Sequence, residues 1–165
     1  VAGGSSVPIL SAENILTTEA GEKRLMTYES LSEGGFATGT MLGSGGFIVM
    51  DETTCIVHNT LTFARFYHHE SCGQCSPCRE GTGWMDKVIK RIETGKGRME
   101  DIDLLVDVAK KIEGNTICPL GDAASWPVAA AIRHFRDEFE WHVTHPEEAT
   151  KPGAVYMRPG ASWTK

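Results

Sequence analysis

The sequence has no long apolar run. Its hydrophobic stretches are short and broken by Gly, Asp and Thr, and none nears the roughly 20 apolar residues needed to cross a bilayer. It lacks a charged start followed by an apolar core, so no secretory signal is read and no direct membrane insertion is expected. Basic residues are the minority, 16 Lys and Arg against 22 Asp and Glu for a net charge of −6, and they form no long run. That argues against a nucleic-acid binder, which needs a basic face. No Ser–His–Asp set and no paired carboxylates stand out, so hydrolytic chemistry has no candidate residues. The first residues are Val1-Ala2-Gly3-Gly4 without a Met, and the expectation is a fragment or a processed product.

What is present is a globular composition. The 165 residues are 41% apolar, enough for one ordinary domain or two small pieces with a real core. Residues 1–53 are rich in Gly, Ser and Thr. Phe47-Ile48-Val49-Met50 reads as a strand between two turns, Gly43-Ser44-Gly45-Gly46 and Asp51-Glu52-Thr53-Thr54. Only two or three strands can be found there. A sheet that small is marginal alone, so this segment needs a missing partner or must lean on the rest of the chain.

From residue 54 the apolar period becomes helical. Ile56, Val57, Leu61, Phe63, Ala64, Phe66 and Tyr67 fit one broad face of a first helix. Trp84, Val88, Ile89 and Ile92 mark a second, stopped by Gly95 and Gly97. Ile102, Leu105, Val106, Ala109 and Ile112 mark a third, stopped by Gly114. Val128, Ala131, Ile132, Phe135 and Phe139 mark a fourth, with Asp122 or Ser125 as its cap and Pro127 in its first turn. The connections are short, so the stripes bury against one another in a four-helix bundle over residues 54–143. Residues 144–165 hold Pro146, Pro152, Pro159, Gly153 and Gly160 and read as an irregular tail lying on a surface.

The five cysteines are Cys55, Cys72, Cys75, Cys78 and Cys118. An odd number, three of them crowded into one loop, makes a poor disulfide framework. Three thiolates at successive short spacings wrap something wider than one ion. A tetrahedral zinc usually takes its ligands in separated pairs, whereas a cubane offers several iron corners to one loop. The spacing therefore predicts a [4Fe–4S] cluster on Cys72, Cys75 and Cys78, with Cys118 of Ile117-Cys118-Pro119 as the fourth ligand. A structural zinc and a set of redox thiols fit less well. The loop precedes the second helix and Cys118 follows the third, so an up-and-down pair returns both to one end of the bundle. Gly73 allows close backbone approach, Arg79 adds positive charge, and Pro119 fixes the turn that presents the last sulfur. Cys55 stands apart and reads as a small buried apolar residue.

Other features have plainer readings. His68-His69-Glu70 ends the first helix, where cationic side chains suit the dipole. Gly43-Ser44-Gly45-Gly46 lacks the Lys-Ser/Thr ending of a phosphate loop and is followed by a strand, so it reads as a turn. Trp84 and Trp126 have helical spacing and read as core.

With the cysteines placed, a family resemblance emerges. The run from Glu70 to Gly81, with its three cysteines, resembles the cluster loop of the NADH-binding flavoprotein (F-type) subunit of respiratory complex I, NADH-quinone oxidoreductase. Ile112 to Asp122 and Ile132 to Arg136 are similar to its pattern, as are Gly3-Gly4-Ser5-Ser6 and Met41 to Gly46. The likeness extends to about Val143 and leaves out the tail. It implies that residues 54–143 are the family's cluster-holding bundle and that residues 1–53 are the latter part of a β-grasp, soluble-ligand-binding segment. The fold class expected is thus mainly α, preceded by a partial α+β piece.

The resemblance also implies that FMN and NADH bind a domain with no counterpart here. FMN would pass electrons singly to the cluster and on toward quinone, and this segment alone would not act as a dehydrogenase. The implied partners are other peripheral-arm subunits, above all iron–sulfur subunits. The implied location is the cytoplasmic face of a bacterial inner membrane, or the matrix side in mitochondria. Related flavoproteins of NAD-linked hydrogenases and formate dehydrogenases share the module, and a metal-stabilised docking piece without redox role is the remaining alternative.

Overall fold

The computed structural model describes residues 4–11, 21–22, 27, 39–41 and 45–156. Helix α1 spans Ile56–Glu70, α2 Ser76–Glu93, α3 Met99–Ile112, α4 Leu120–Thr144 and the single turn α5 Pro146–Ala149. No helix among the described residues is long and apolar enough to cross a membrane.

Each helix starts and stops where local chemistry requires. α2 begins directly after Cys75 and carries Pro77 in its first turn, where a missing amide costs nothing. It ends before Gly95, whose φ of +71° lets the Lys96 amide turn back to the Arg91 carbonyl at 2.9 Å. α3 ends before Gly114, also at φ +71°, where the Asn115 amide turns back to the Ile112 carbonyl at 3.0 Å. These two glycines make the up-and-down path possible. α2 and α3 lie antiparallel: Gly81, near the start of α2, faces Val108 and Ile112 late in α3, while Arg91 meets Asp101 at the other end.

The helices share one core. Val57 and Leu61 of α1, Met85, Ile89 and Ile92 of α2, Ile102, Leu105 and Ile112 of α3, and Val128 and Phe139 of α4 are all buried. Each such side chain contributes about 1.5–3 kcal/mol on leaving water. Val7 and Ile9 from the start of the chain join the same cluster. Thr40 Oγ1 donates to the Pro8 carbonyl at 2.8 Å and so ties two parts of the first segment together.

Several expectations need correction. Phe47–Met50 forms no strand: among the described residues Ile48 makes a single bridge and nothing more. The alternation survives, with Ile48 and Met50 half-buried against the core and Phe47 and Val49 exposed. A strand needs a partner along its length, and one bridge does not supply it. No β-grasp sheet is therefore present among the described residues. Much of residues 1–53, including 1–3, 12–20, 28–38 and 42–44, lies outside them, and so do Gly3 and part of the Gly43–Gly46 turn.

Phe66 and Trp84 are exposed, not core. Trp84 sits at about 90° from the centre of α2's buried stripe, and Phe66 lies on the far side of α1, where its ring meets Tyr67 edge-on. α4 begins at Leu120, earlier than expected, so Pro127 falls inside it and neither Asp122 nor Ser125 caps it. Asp122 Oδ1 instead accepts the Gly114 amide at 2.7 Å and joins the end of α3 to the start of α4. α4 also breaks at Phe135, with φ −133° and ψ 30°. The tail is only partly irregular. It folds back so that Tyr156 lies against Trp141, with ring centroids 5.7 Å apart, and residues 157–165 lie outside the described residues.

The turn between α2 and α3 is clamped by Asp101. Burial alone would raise its carboxyl pKa. Hydrogen bonds from the Arg91 side chain and from the Arg98 amide and side chain outweigh burial and hold it below the ordinary value of 3.8. A lowered folded-state pKa contributes stability that is present above the unfolded value and lost as pH falls through the folded one. Asp101→Asn should therefore cost about 1–3 kcal/mol in denaturant unfolding at pH 7. The difference from the unmodified chain should shrink as the pH is taken below 3.8; a gap of equal size at acid pH would show that the clamp is not ionic.

Candidate functional site

Cys72 and Cys75 lie in the loop between α1 and α2, and Cys78 lies in the first turn of α2. Gly73 takes φ +77°, a conformation that side chains resist, and this bends the loop between the first two cysteines. Arg79 does not leave its charge free. Its Nη1 donates to the Gly73 carbonyl at 3.0 Å and its Nε to Glu80 at 2.9 Å, so it fastens the loop to α2. Thr82 Oγ1 donates to the Cys78 carbonyl at 2.7 Å. Cys78 is buried, Cys75 half-buried, and Cys72 exposed.

Cys118 is exposed on the turn between α3 and α4. Thr116 Oγ1 donates to its carbonyl at 2.9 Å, and Pro119 stands at the head of α4. The hairpin brings this turn against the first loop: the Ile117 amide donates to Cys75 Sγ at 3.4 Å. A second polar group reaches the loop sulfurs, because Ser71 Oγ lies 3.3 Å from Cys78 Sγ. The Ile117 amide favours a sulfur that carries more negative charge, and the Ser71 hydroxyl can donate to a deprotonated Cys78.

The four thiols are not drawn together as one ion would need. Sulfurs around a tetrahedral zinc lie about 3.8 Å apart, from a Zn–S bond of about 2.3 Å. Among the described residues, the one set of three ligand atoms within 4.8 Å of one another is Cys55, Glu138 and His142. A wider spread suits a group that offers a separate iron to each cysteine. All-thiol chemistry, a glycine bend, an amide donating to Cys75 and a hydroxyl beside Cys78 fit an iron–sulfur cluster.

The neighbouring features differ from their sequence readings. His68 pairs with a carboxylate, its Nδ1 3.2 Å from Asp86 Oδ2, and its ring covers Gly83. His69 pairs with Glu70 at 2.8 Å. Trp126 is half-buried and donates from Nε1 to Glu113 at 2.7 Å, across the Cys118 turn. Cys55 packs against the core as a small apolar residue would, but it also has polar neighbours. It is half-buried at the cap of α1, where its sulfur accepts the His58 amide at 3.3 Å and lies 3.4 Å from His142 Nε2. Burial pushes the Cys55 thiol up to about 12 and the Glu138 carboxyl up to about 7, and it lowers the His142 imidazole. Sequence reading missed this group because Glu138 and His142 are far from Cys55 along the chain and form no motif with it.

The family model described as NADH-ubiquinone oxidoreductase-F iron-sulfur binding region matches residues 58–142, more than half of the chain. The F-type chain of the Rickettsia bellii NADH-quinone oxidoreductase is 49% identical over 140 residues, which cover 85% of this chain and 31% of that protein. An F-type chain of the Rhizobium meliloti NADH-quinone oxidoreductase is 44% identical over 156 residues, covering 94% of this chain and 34% of that one. A solved NAD+-reducing [NiFe]-hydrogenase chain superposes with a TM-score of 0.68 at 29% identity, over 87% of this chain and 22% of the other. The chain thus spans about a third of the curated relatives it matches. The helical order, the cysteine loop brought against the Cys118 turn and the match across α1 to α4 agree with one another, and the chain belongs to the NADH-ubiquinone oxidoreductase-F iron-sulfur binding family.

Proposed function

We propose that the chain carries electrons through a [4Fe–4S] cluster on Cys72, Cys75, Cys78 and Cys118, as part of the NADH-oxidising flavoprotein subunit of an NADH-quinone oxidoreductase. The observation that carries this reading is the contact of the Ile117 amide with Cys75 Sγ, which joins the two cysteine-bearing turns at one end of the bundle. A cluster bound there would supply one-electron uptake and release. The chain's own residues do the rest. The α2–α3 hairpin fixes where the sulfurs stand, Gly73 and Arg79 shape the loop, and the Ile117 amide and Ser71 hydroxyl offset charge on sulfur.

FMN and NADH are assigned to the part of the flavoprotein outside this chain, so the chain by itself should not oxidise NADH. Its donor is then the flavin, and its acceptors are iron–sulfur subunits of the peripheral arm, leading to quinone. The setting is the cytoplasmic face of a bacterial inner membrane, or the matrix side of a mitochondrial one. The likeness to an NAD+-reducing hydrogenase chain supports a second reading, the same module in the diaphorase part of such an enzyme.

Anaerobically purified protein should hold about four irons and four sulfides per chain and give an EPR signal on reduction. Cys118→Ser should lower the iron content and change or abolish that signal. One zinc without sulfide would overturn the assignment. Gly121 offers a test from outside the ligands. A Cβ there would stand 2.5 Å from Thr116 Oγ1 and 2.6 Å from its Cγ2, so Thr116 must move, and with it the turn it holds at Cys118. Gly121→Ala should reduce cluster retention under chelator challenge while far-ultraviolet circular dichroism stays unchanged. Retention equal to that of the unmodified chain would separate Cys118 from the site.

A further inference from the structure

We propose that Cys55, Glu138 and His142 form a second metal site, for a zinc-class divalent ion, at the end of the bundle away from the cysteine loop. Their ligand atoms lie within 4.8 Å of one another. Cys55 Sγ and His142 Nε2 are 3.4 Å apart, and a tetrahedral zinc holds sulfur and nitrogen about 3.6 Å apart. Glu138 and His142 are at i and i+4 and so share one face of α4. Both lie past the break at Phe135, on the segment that runs beside the cap of α1. There Glu138 Oε1 accepts the Ile56 amide at 2.7 Å, which fixes the carboxylate.

A second observation fits the arrangement of a metal-bound histidine. His142 is 2% exposed, yet its Nδ1 has no hydrogen-bond partner, and neither does the buried Oε2 of Glu93. The two atoms face each other at 3.7 Å. Metal-bound histidines commonly direct the ring nitrogen away from the metal toward a carboxylate, which sets the tautomer and the ring's orientation. With Nε2 bound to an ion, Nδ1 must carry the proton, and Glu93 stands where that proton points. His58 Nδ1, 2.9 Å from Glu93 Oε1, holds the carboxylate from its other side.

The donor types select the ion. A thiolate, an imidazole and a carboxylate suit zinc, whereas magnesium and calcium prefer oxygen alone. Cys55, Glu93 and His142 also line a cavity of ≈ 700 Å³ shared with the tail from Ala149 to Val155. It leaves room for a water as fourth ligand. α1 separates this group from the cysteine loop: its 15 residues span about 22 Å, so neither site can borrow the other's ligands.

The test uses the full chain, purified anaerobically with its iron, exposed to Zn²⁺ and freed of unbound metal. About one zinc per chain should remain, as three protein ligands and a water would hold it. Iron should not change. Cys55→Ser and His142→Gln should each bring zinc to background at constant iron. Glu93→Gln should weaken retention by about 10–100-fold. Co²⁺ added to the iron-loaded, unmodified chain should give tetrahedral visible bands and a thiolate charge-transfer band, and Cys55→Ser should remove that band at constant iron. Zinc that persists in both ligand variants, zinc that rises only as iron falls, or a cobalt spectrum without the thiolate band would overturn the proposal.

Discussion

The packing of α2 against α3 is the constraint from which the rest follows. Two amphipathic helices can bury their stripes side by side only if the chain reverses between them, and Gly95 at φ +71° makes that reversal. Asp101, held by Arg91 and Arg98, then fixes the pairing at the turn end, and Gly81 against Ile112 sets it at the other. A Cβ at Gly81 would stand 2.6 Å from Ile112 Cδ1, so the Ile112 side chain lies directly over the Gly81 backbone there and would have to shift for any larger residue. That close end is the end that carries the cysteines. The geometry between the first loop and the Cys118 turn is therefore a product of core packing, with the sulfur contact as its last step.

Much of this was legible in sequence for physical reasons. The stripes of α1 to α3 are written in side chains at helical spacing, and the glycines that end α2 and α3 sit where the stripes stop. The cysteine loop could be read because its three thiols are close along the chain. What could not be read were placements set by neighbours in space. Trp84 matches the period of α2 yet lies at the margin of its stripe, where a small rotation decides exposure. Asp122 looks like a helix cap but satisfies the Gly114 amide, and α4 starts upstream of it. Phe47–Met50 keeps the alternation of a strand without the ladder, because alternation reports which side faces a core and says nothing of partners.

Cys55 shows the limit most clearly. Alone in the sequence it is one small residue before a helix. In space it meets Glu138 and His142, brought to it by a break in α4 that no proline explains: Pro127 lies well upstream of Phe135. The bundle thus has two chemically distinct ends joined by α1, one made of thiols on turns and one of mixed donors set against a cavity. The family's named iron–sulfur region, matched over residues 58–142, takes in the first and also Glu138 and His142 of the second, and leaves out Cys55. The second uses the C-terminal part of α4 and the tail that folds beside it.

The uneven burial of the cysteines sets a direction. Cys78 is enclosed by the bundle, whereas Cys72 and Cys118 are exposed and Ile117, next to Cys118 in the chain, is 85% exposed. A group held on these sulfurs has a guarded side and an open one. The open side offers the shorter path for an electron to leave and also admits oxygen and water. Any surface that covered Ile117 would bear on both how fast charge moves on and how long the site survives in air.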